Sequence, residues 1–172
     1  VNSTGDEADF ANDSICETDT SEDILKIIVK DRYRDAGPAV AFVKGFGLKN
    51  GAFASSVAHD SHNIIAIGVR DEDIVQVVNE IVRLKGGLAV ADGQKVCSLQ
   101  LNVAGIMSDM PCSEVAQQYE YLSDMVKRLG CSMSAPFMTM SFMALLVIPE
   151  IKLSDKGLFD VRSFSHMALF TE

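Results

Sequence analysis

The sequence lacks any run of apolar residues long enough to cross a bilayer. Its longest strongly apolar stretch covers residues 142–148, whereas a membrane-spanning helix needs about 20 residues. No basic segment followed by an apolar run opens the chain, so we expect no secretory signal. These absences predict a protein of the cytoplasm that is not held in a membrane.

Cysteine is sparse, and the sequence contains no Cys-x-x-Cys pair. The four cysteines, Cys16, Cys97, Cys112 and Cys131, are scattered, so a zinc site built from cysteine is not expected and we predict reduced thiols. The His-x-Glu and Pro-Cys-x-x-Cys motifs of the zinc-dependent cytidine-deaminase class are missing as well. A Gly-x-Ser-x-Gly nucleophile elbow is also absent, which argues against an α/β-hydrolase.

Basic residues are missing from the first part of the chain. Residues 1–23 contain eight acidic residues and no lysine or arginine, although the net charge of the whole chain is −9. The remainder has 16 acidic against 15 basic residues and is nearly neutral. We therefore predict a flexible acidic tail over residues 1–22 and one domain over residues 23–172. Neither part has the basic surface that nucleic-acid binding requires.

The pattern of apolar residues predicts strands first and helices later. Stretches rich in β-branched and small apolar residues are interrupted by turn residues, and Asn50-Gly51 is a strong signal for a tight hairpin. A helix begins at Asp71 and ends at Gly86-Gly87, with apolar residues at helical spacing. A second helix begins near Pro111 and ends before Gly130. The predicted strands cover residues 23–30, 39–45, 52–58, 63–69, 88–91 and 95–101.

The last third of the chain is harder to assign. Residues 136–148 are apolar on every side, which predicts burial but does not separate helix from strand. Residues 152–157 form a predicted polar turn, followed by one or two short strands. Because strands and helices do not alternate, we expect an α+β fold with a mainly antiparallel sheet and the helices packed on one side.

Residues 55–63 are the one dense polar segment between apolar strands. His59, Asp60 and His62 could converge in a tight turn and bind a divalent metal, or the carboxylate could fix a histidine tautomer. The alternative is a turn in which polar side chains hydrogen-bond to nearby backbone groups. The spacing alone leaves both open. The methionines between Met133 and Met143 have three interpretations, as core filling, as a hydrophobic ligand surface or as a subunit interface.

Several segments together resemble the C-terminal region of bacterial adenine deaminases. The resemblance runs in order over residues 23–170, whereas the acidic tail and the turn at residues 34–38 depart from it. The matching segments include Phe42-Val43-Lys44-Gly45-Phe46-Gly47-Leu48, Ala54 to Ile65, Gly86-Gly87-Leu88, Ala104 to Asp109, Pro136-Phe137-Met138 and Ile148 to Leu153.

The resemblance implies a part of a purine-salvage enzyme that converts adenine and water to hypoxanthine and ammonia. Such enzymes are amidohydrolases, and a barrel domain would hold most of the ligands of the divalent metal (manganese, iron or zinc). A barrel of eight strands and helices takes roughly 250 residues, so we expect this chain to lack it and to be inactive alone. The partners implied are adenine, the barrel domain and possible further copies in a homo-oligomer.

Two other roles remain open from the sequence. The domain could be a non-catalytic element that supports the barrel or the oligomer. It could also be a free-standing module that binds a purine or another small ligand without catalysis.

Overall fold

The computed structural model describes residues 16–170, which form two antiparallel sheets and three α-helices. This architecture confirms the α+β fold predicted from the sequence. The elements are β1 (Leu25–Lys30), β2 (Ala39–Val43), β3 (Ala52–Ser55), β4 (Ile64–Gly68), α1 (Asp71–Leu84), β5 (Gly87–Ala91), β6 (Val96–Gln100), α2 (Cys112–Arg128), α3 (Pro136–Phe142), β7 (Ile151–Ser154), β8 (Gly157–Asp160) and β9 (Ser165–His166).

The six-stranded sheet has the strand order β2-β1-β4-β3-β5-β6. All of its neighbouring strands run antiparallel, and Ile27 of β1 lies opposite Ile67 of β4. β4 is fully buried along its length and lies in the middle of the sheet. The smaller sheet, in the order β7-β8-β9, packs against β1 and β2.

The helices cover both faces of the large sheet, which corrects the expectation that they pack on one side. Ile64 and Ala66 of β4 belong to the core that α1 covers, whereas Ile65 and Ile67 belong to the core that α2 and α3 cover. Successive side chains of a strand point to opposite faces, so an uninterrupted apolar strand needs cover on both sides.

The hairpin predicted at Asn50-Gly51 is wrong. β2 pairs only with β1, and β3 pairs with β4 and β5, so the chain crosses from the sheet edge to its interior. Gly51 is required for a different reason. It has a φ of +71°, and a Cβ there would lie 2.3 Å from the Ala91 carbonyl oxygen. The glycine thus permits close backbone packing rather than a two-residue turn.

The last third of the chain contains a short helix and a hairpin. Pro136 opens α3 at a position where its missing N–H is tolerated. The expectation that residues 136–148 are buried throughout is wrong, because Met138 is 58% exposed and Val147 is 67% exposed. Residues 152–157 do not form only a turn, since β7 and β8 pair across residues 154–157.

The described part of the N-terminal segment contacts the domain. The hydroxyl of Thr18 donates to the Val69 carbonyl at 2.7 Å, and Asp19 forms a β-bridge with Ile24. Residues 16–22, which the sequence assigns to the tail, therefore lie against the fold, and residues 1–15 of that tail fall outside the described residues. Within residues 16–170, no helix is long and apolar enough to span a membrane.

Candidate functional site

The polar segment joins two neighbouring strands at one end of the large sheet. β3 ends at Ser55 and β4 begins at Ile64, and the two strands are antiparallel partners. Residues 56–63 therefore form a connection whose ends are fixed by the sheet. The backbone N–H of His62 donates to the Ala58 carbonyl at 2.7 Å, and His62 has a φ of +51°. This bond closes the turn that carries the two histidines.

Ser56 anchors the base of this connection. Its side chain is fully buried. The Ser56 hydroxyl accepts a hydrogen bond from the Gly87 N–H at 2.8 Å and donates to the Gly105 carbonyl at 2.5 Å. A buried hydroxyl with partners on β5 and on a distant turn fixes three chain segments relative to one another. Ser56 therefore has a structural role.

The other buried polar residues of the segment also bond to backbone groups. The Ser55 hydroxyl accepts from the Val57 N–H at 2.9 Å, and the Asn63 side-chain oxygen accepts from the Arg32 N–H at 3.2 Å. From outside the segment, the Tyr33 hydroxyl donates to the Ser61 carbonyl at 3.1 Å. For Ser55, Ser56 and Asn63, the interpretation as a hydrogen-bonded turn is therefore the one that the contacts support.

The histidines occupy the outer part of the turn. The ring centroids of His59 and His62 are 5.9 Å apart at an angle of 71°, and the His59 ring lies 5.2 Å from that of Phe142 at the end of α3. Both histidines are half-buried, and Asp60 between them is exposed. The Nδ1 atom of His62 is buried and has no hydrogen-bond partner among the described residues. Sequence reasoning did not find Phe142, because a contact between residues so far apart in the chain leaves no local pattern.

The predicted metal ligands lie in one turn, but they do not form a complete metal site. Within residues 16–170, no group of three or more histidine, cysteine, aspartate or glutamate side chains is placed to hold a metal ion. His59 and His62 are close enough to act in the same site, yet a stable divalent site generally needs more protein ligands. The assignment of His59, Asp60 and His62 to a metal stays a prediction, which would need a further ligand from outside this chain.

Two clefts meet at His59. The smaller, of about 120 Å³, lies between the turn and the β7–β8 hairpin, and Asp60 and Asp155 both line it. The larger, of about 490 Å³, lies between α2, α3 and the large sheet, and its lining is mostly apolar. His59 is therefore a polar group placed between an acidic cleft and an apolar one. His166, by contrast, lies exposed on β9 against Phe159.

Comparison with known proteins identifies the family. A model of the adenine deaminase C-terminal domain matches residues 4–165. The chain belongs to this family. The match includes most of the acidic N-terminal segment, although that segment shows no visible resemblance in its motifs.

Curated relatives named adenine deaminase are similar to this chain over most of its length. An adenine deaminase of Methanosarcina mazei is 51% identical over 155 residues, which are 90% of this chain and 28% of that protein. One from Sulfurovum sp. is 58% identical over 145 residues, 84% of this chain and 27% of its own length. One from Parabacteroides distasonis is 49% identical over 158 residues, covering 92% and 29%. The chain thus spans little more than a quarter of the curated relatives it matches.

Proposed function

We propose that this chain is the C-terminal domain of an enzyme that hydrolyses adenine to hypoxanthine and ammonia. One observation carries the proposal. Over nearly the whole chain, about half of the residues are identical to those of curated proteins named adenine deaminase. The reaction replaces the exocyclic amino group on C6 of the purine by oxygen, so it breaks a C–N bond of a cyclic amidine. Water supplies the oxygen, and the amino group leaves as ammonia.

The described residues do not fit a metal site of their own. The His59 and His62 rings lie close together, but within residues 16–170 no three histidine, cysteine, aspartate or glutamate side chains are placed to hold a metal ion. The proposal therefore assigns the divalent metal (manganese, iron or zinc) to the part of the enzyme outside this chain. A divalent metal supplies an activated water for hydrolysis when it is bound.

We propose that the domain contributes the turn of residues 59–63 to the mouth of the deaminase site. Two features support this placement. The base of the turn is held by buried hydrogen bonds of Ser56 and Asn63, and the tip presents His59 and Asp60. A turn that is already held by a rigid scaffold can position a substrate, because it loses little conformational entropy when the substrate binds. An imidazole can both donate and accept hydrogen bonds, as the nitrogens of a purine edge require.

The test is the double substitution of His59→Ala and His62→Ala in the complete, metal-loaded enzyme. We expect kcat/KM for adenine to fall by about tenfold or more, since each lost polar contact to substrate costs roughly 1–1.5 kcal/mol. Metal content should be measured in the same preparations, because a fall in bound metal would assign the two imidazoles to the metal instead.

The matched control is His166→Ala, which removes an exposed imidazole of β9 that lines neither of the two clefts at His59. This control should keep the kinetics of the unaltered enzyme. If the double variant also keeps both its kinetics and its metal content, the turn has no part in the deaminase site.

A further inference from the structure

The apolar face of α2 extends beyond the core that it covers. Val115, Tyr119, Leu122, Val126 and Leu129 follow one side of the helix at helical spacing. From Leu122 onward this side is buried in the core, whereas Val115 and Tyr119 are only half-buried. The first half of α2 therefore carries an apolar stripe that the domain covers only in part.

This stripe forms one wall of the larger cleft next to His59. Phe137 and Met138 of α3 form the opposite wall, and Leu88 and Leu99 of the sheet lie at its base. None of its described lining residues is aspartate, glutamate, lysine or arginine. The uncharged lining and the exposed Met138 make the cleft an apolar surface.

The exposed apolar residues on the outer face of α1 differ from those that line the cleft between α2 and α3. Val75 and Val82 are exposed there, at 55% and 54%, but acidic, basic and amide side chains surround them along the helix. Single apolar residues among polar ones are ordinary on a protein surface. The cleft between α2 and α3 is different because its apolar residues come from three elements and face one another.

The length of the relatives indicates what covers this cleft. The matched stretch is 28% of the Methanosarcina mazei protein, and the family model describes a C-terminal domain. In such a protein, most of the polypeptide precedes this domain and is covalently tied to it. A tethered partner meets the cleft at a high effective concentration, which favours it over a second copy.

We propose that the cleft between α2 and α3 is the surface on which the preceding part of the same polypeptide docks, through apolar side chains inserted between Tyr119 and Met138. His59 lines the cleft, so docking there brings the turn of residues 59–63 to the neighbouring domain. This proposal relies on the proposed function only in taking the chain as part of a larger protein.

Cys112 provides a native probe, because it is exposed and lines the cleft. Its alkylation by a maleimide is followed by peptide mass spectrometry in this 172-residue chain and in the complete protein. We expect the rate to fall by about tenfold or more in the complete protein, since a covered thiol reacts only after local opening. A thiol introduced by Met138→Cys tests the opposite wall and should be protected in the same way.

The control is a thiol introduced by Val75→Cys on α1, on the opposite face of the sheet, which should react equally in both proteins. Equal reactivity of Cys112 in both proteins would overturn the proposal. Protection in the 172-residue chain that increases with its concentration would also overturn it, because a second copy would then be the occupant. Protection in a complete protein that lacks deaminase activity would uphold the docking surface while refuting the proposed function.

Discussion

Ser56 combines full burial with bonds to two other segments, which makes it the most constrained polar residue of the turn. In Ser56→Ala, the Gly87 N–H loses its bond to the hydroxyl and the Gly105 carbonyl loses its donor. We expect the free energy of unfolding to fall by about 1–3 kcal/mol, the cost of leaving buried polar groups unsatisfied. Urea denaturation measures this change.

The matched control for Ser56→Ala is Ser163→Ala, where the hydroxyl is exposed and bonds to the half-buried Asp160. Its free energy of unfolding should change by less than about 0.5 kcal/mol. An equal effect of the two substitutions would show that the Ser56 bonds do not hold the turn.

At the residue scale, the sequence predicts which residues are chemically unusual but not what they touch. The polar density of residues 55–63 is visible in the chain, and the structure places the histidines of that segment within one turn. The sequence does not show which residues of this segment hold the turn in place, because the bonds of Ser56 and Asn63 depend on Gly105 and Arg32 in distant segments. Long-range contacts of this kind leave no local pattern.

At the element scale, Glu80 links α1 to β6. Its carboxylate accepts hydrogen bonds from Arg83, at 2.8 Å, and from the Ser98 hydroxyl, at 2.7 Å. The bond from Arg83, opposed by partial burial and helped by Ser98, lowers the pKa of Glu80 from 4.5 to about 2. Because the pKa is lower in the folded state, the stabilisation is fully present above the unfolded value near 4.5 and is lost as the pH falls towards 2.

We expect Glu80→Gln to lower the free energy of unfolding at pH 7 by about 1–2 kcal/mol, a value reduced for the exposure of Arg83. The difference from the unaltered chain should shrink as the pH is lowered from 5 towards about 2, since protonation removes the same charge. Urea unfolding at several pH values measures it. A difference between Glu80→Gln and the unaltered chain that is constant with pH would refute the linkage.

The elements themselves follow from the sequence better than their arrangement does. Periodicity and terminal residues predict α1 and α2, and the boundary at Pro111 is confirmed because α2 begins at Cys112. The hairpin signal at Asn50-Gly51 fails because Gly51 is needed for its close approach to Ala91 and Leu129. The uninterrupted apolar run of β4 indicates that the sheet is covered on both faces, because a strand with apolar residues on both sides needs cover on both.

At the scale of the whole molecule, the domain has a complete core but an incomplete site. Both faces of its sheet are packed, whereas the histidine turn lacks a full set of metal ligands among residues 16–170. The family follows from the order of its motifs over most of the chain. The placement of the apolar cleft beside His59 does not, because it depends on how α2 and α3 lie on the sheet.

We propose that this domain is part of an adenine deaminase and does not deaminate adenine by itself. The most direct measurement is the release of ammonia and hypoxanthine from adenine by two proteins loaded with the same divalent metal, the 172-residue chain and the complete protein that contains it. We expect turnover by the complete protein and none above the background by the 172-residue chain. Turnover by the chain alone, or none by the complete protein, would contradict the proposal.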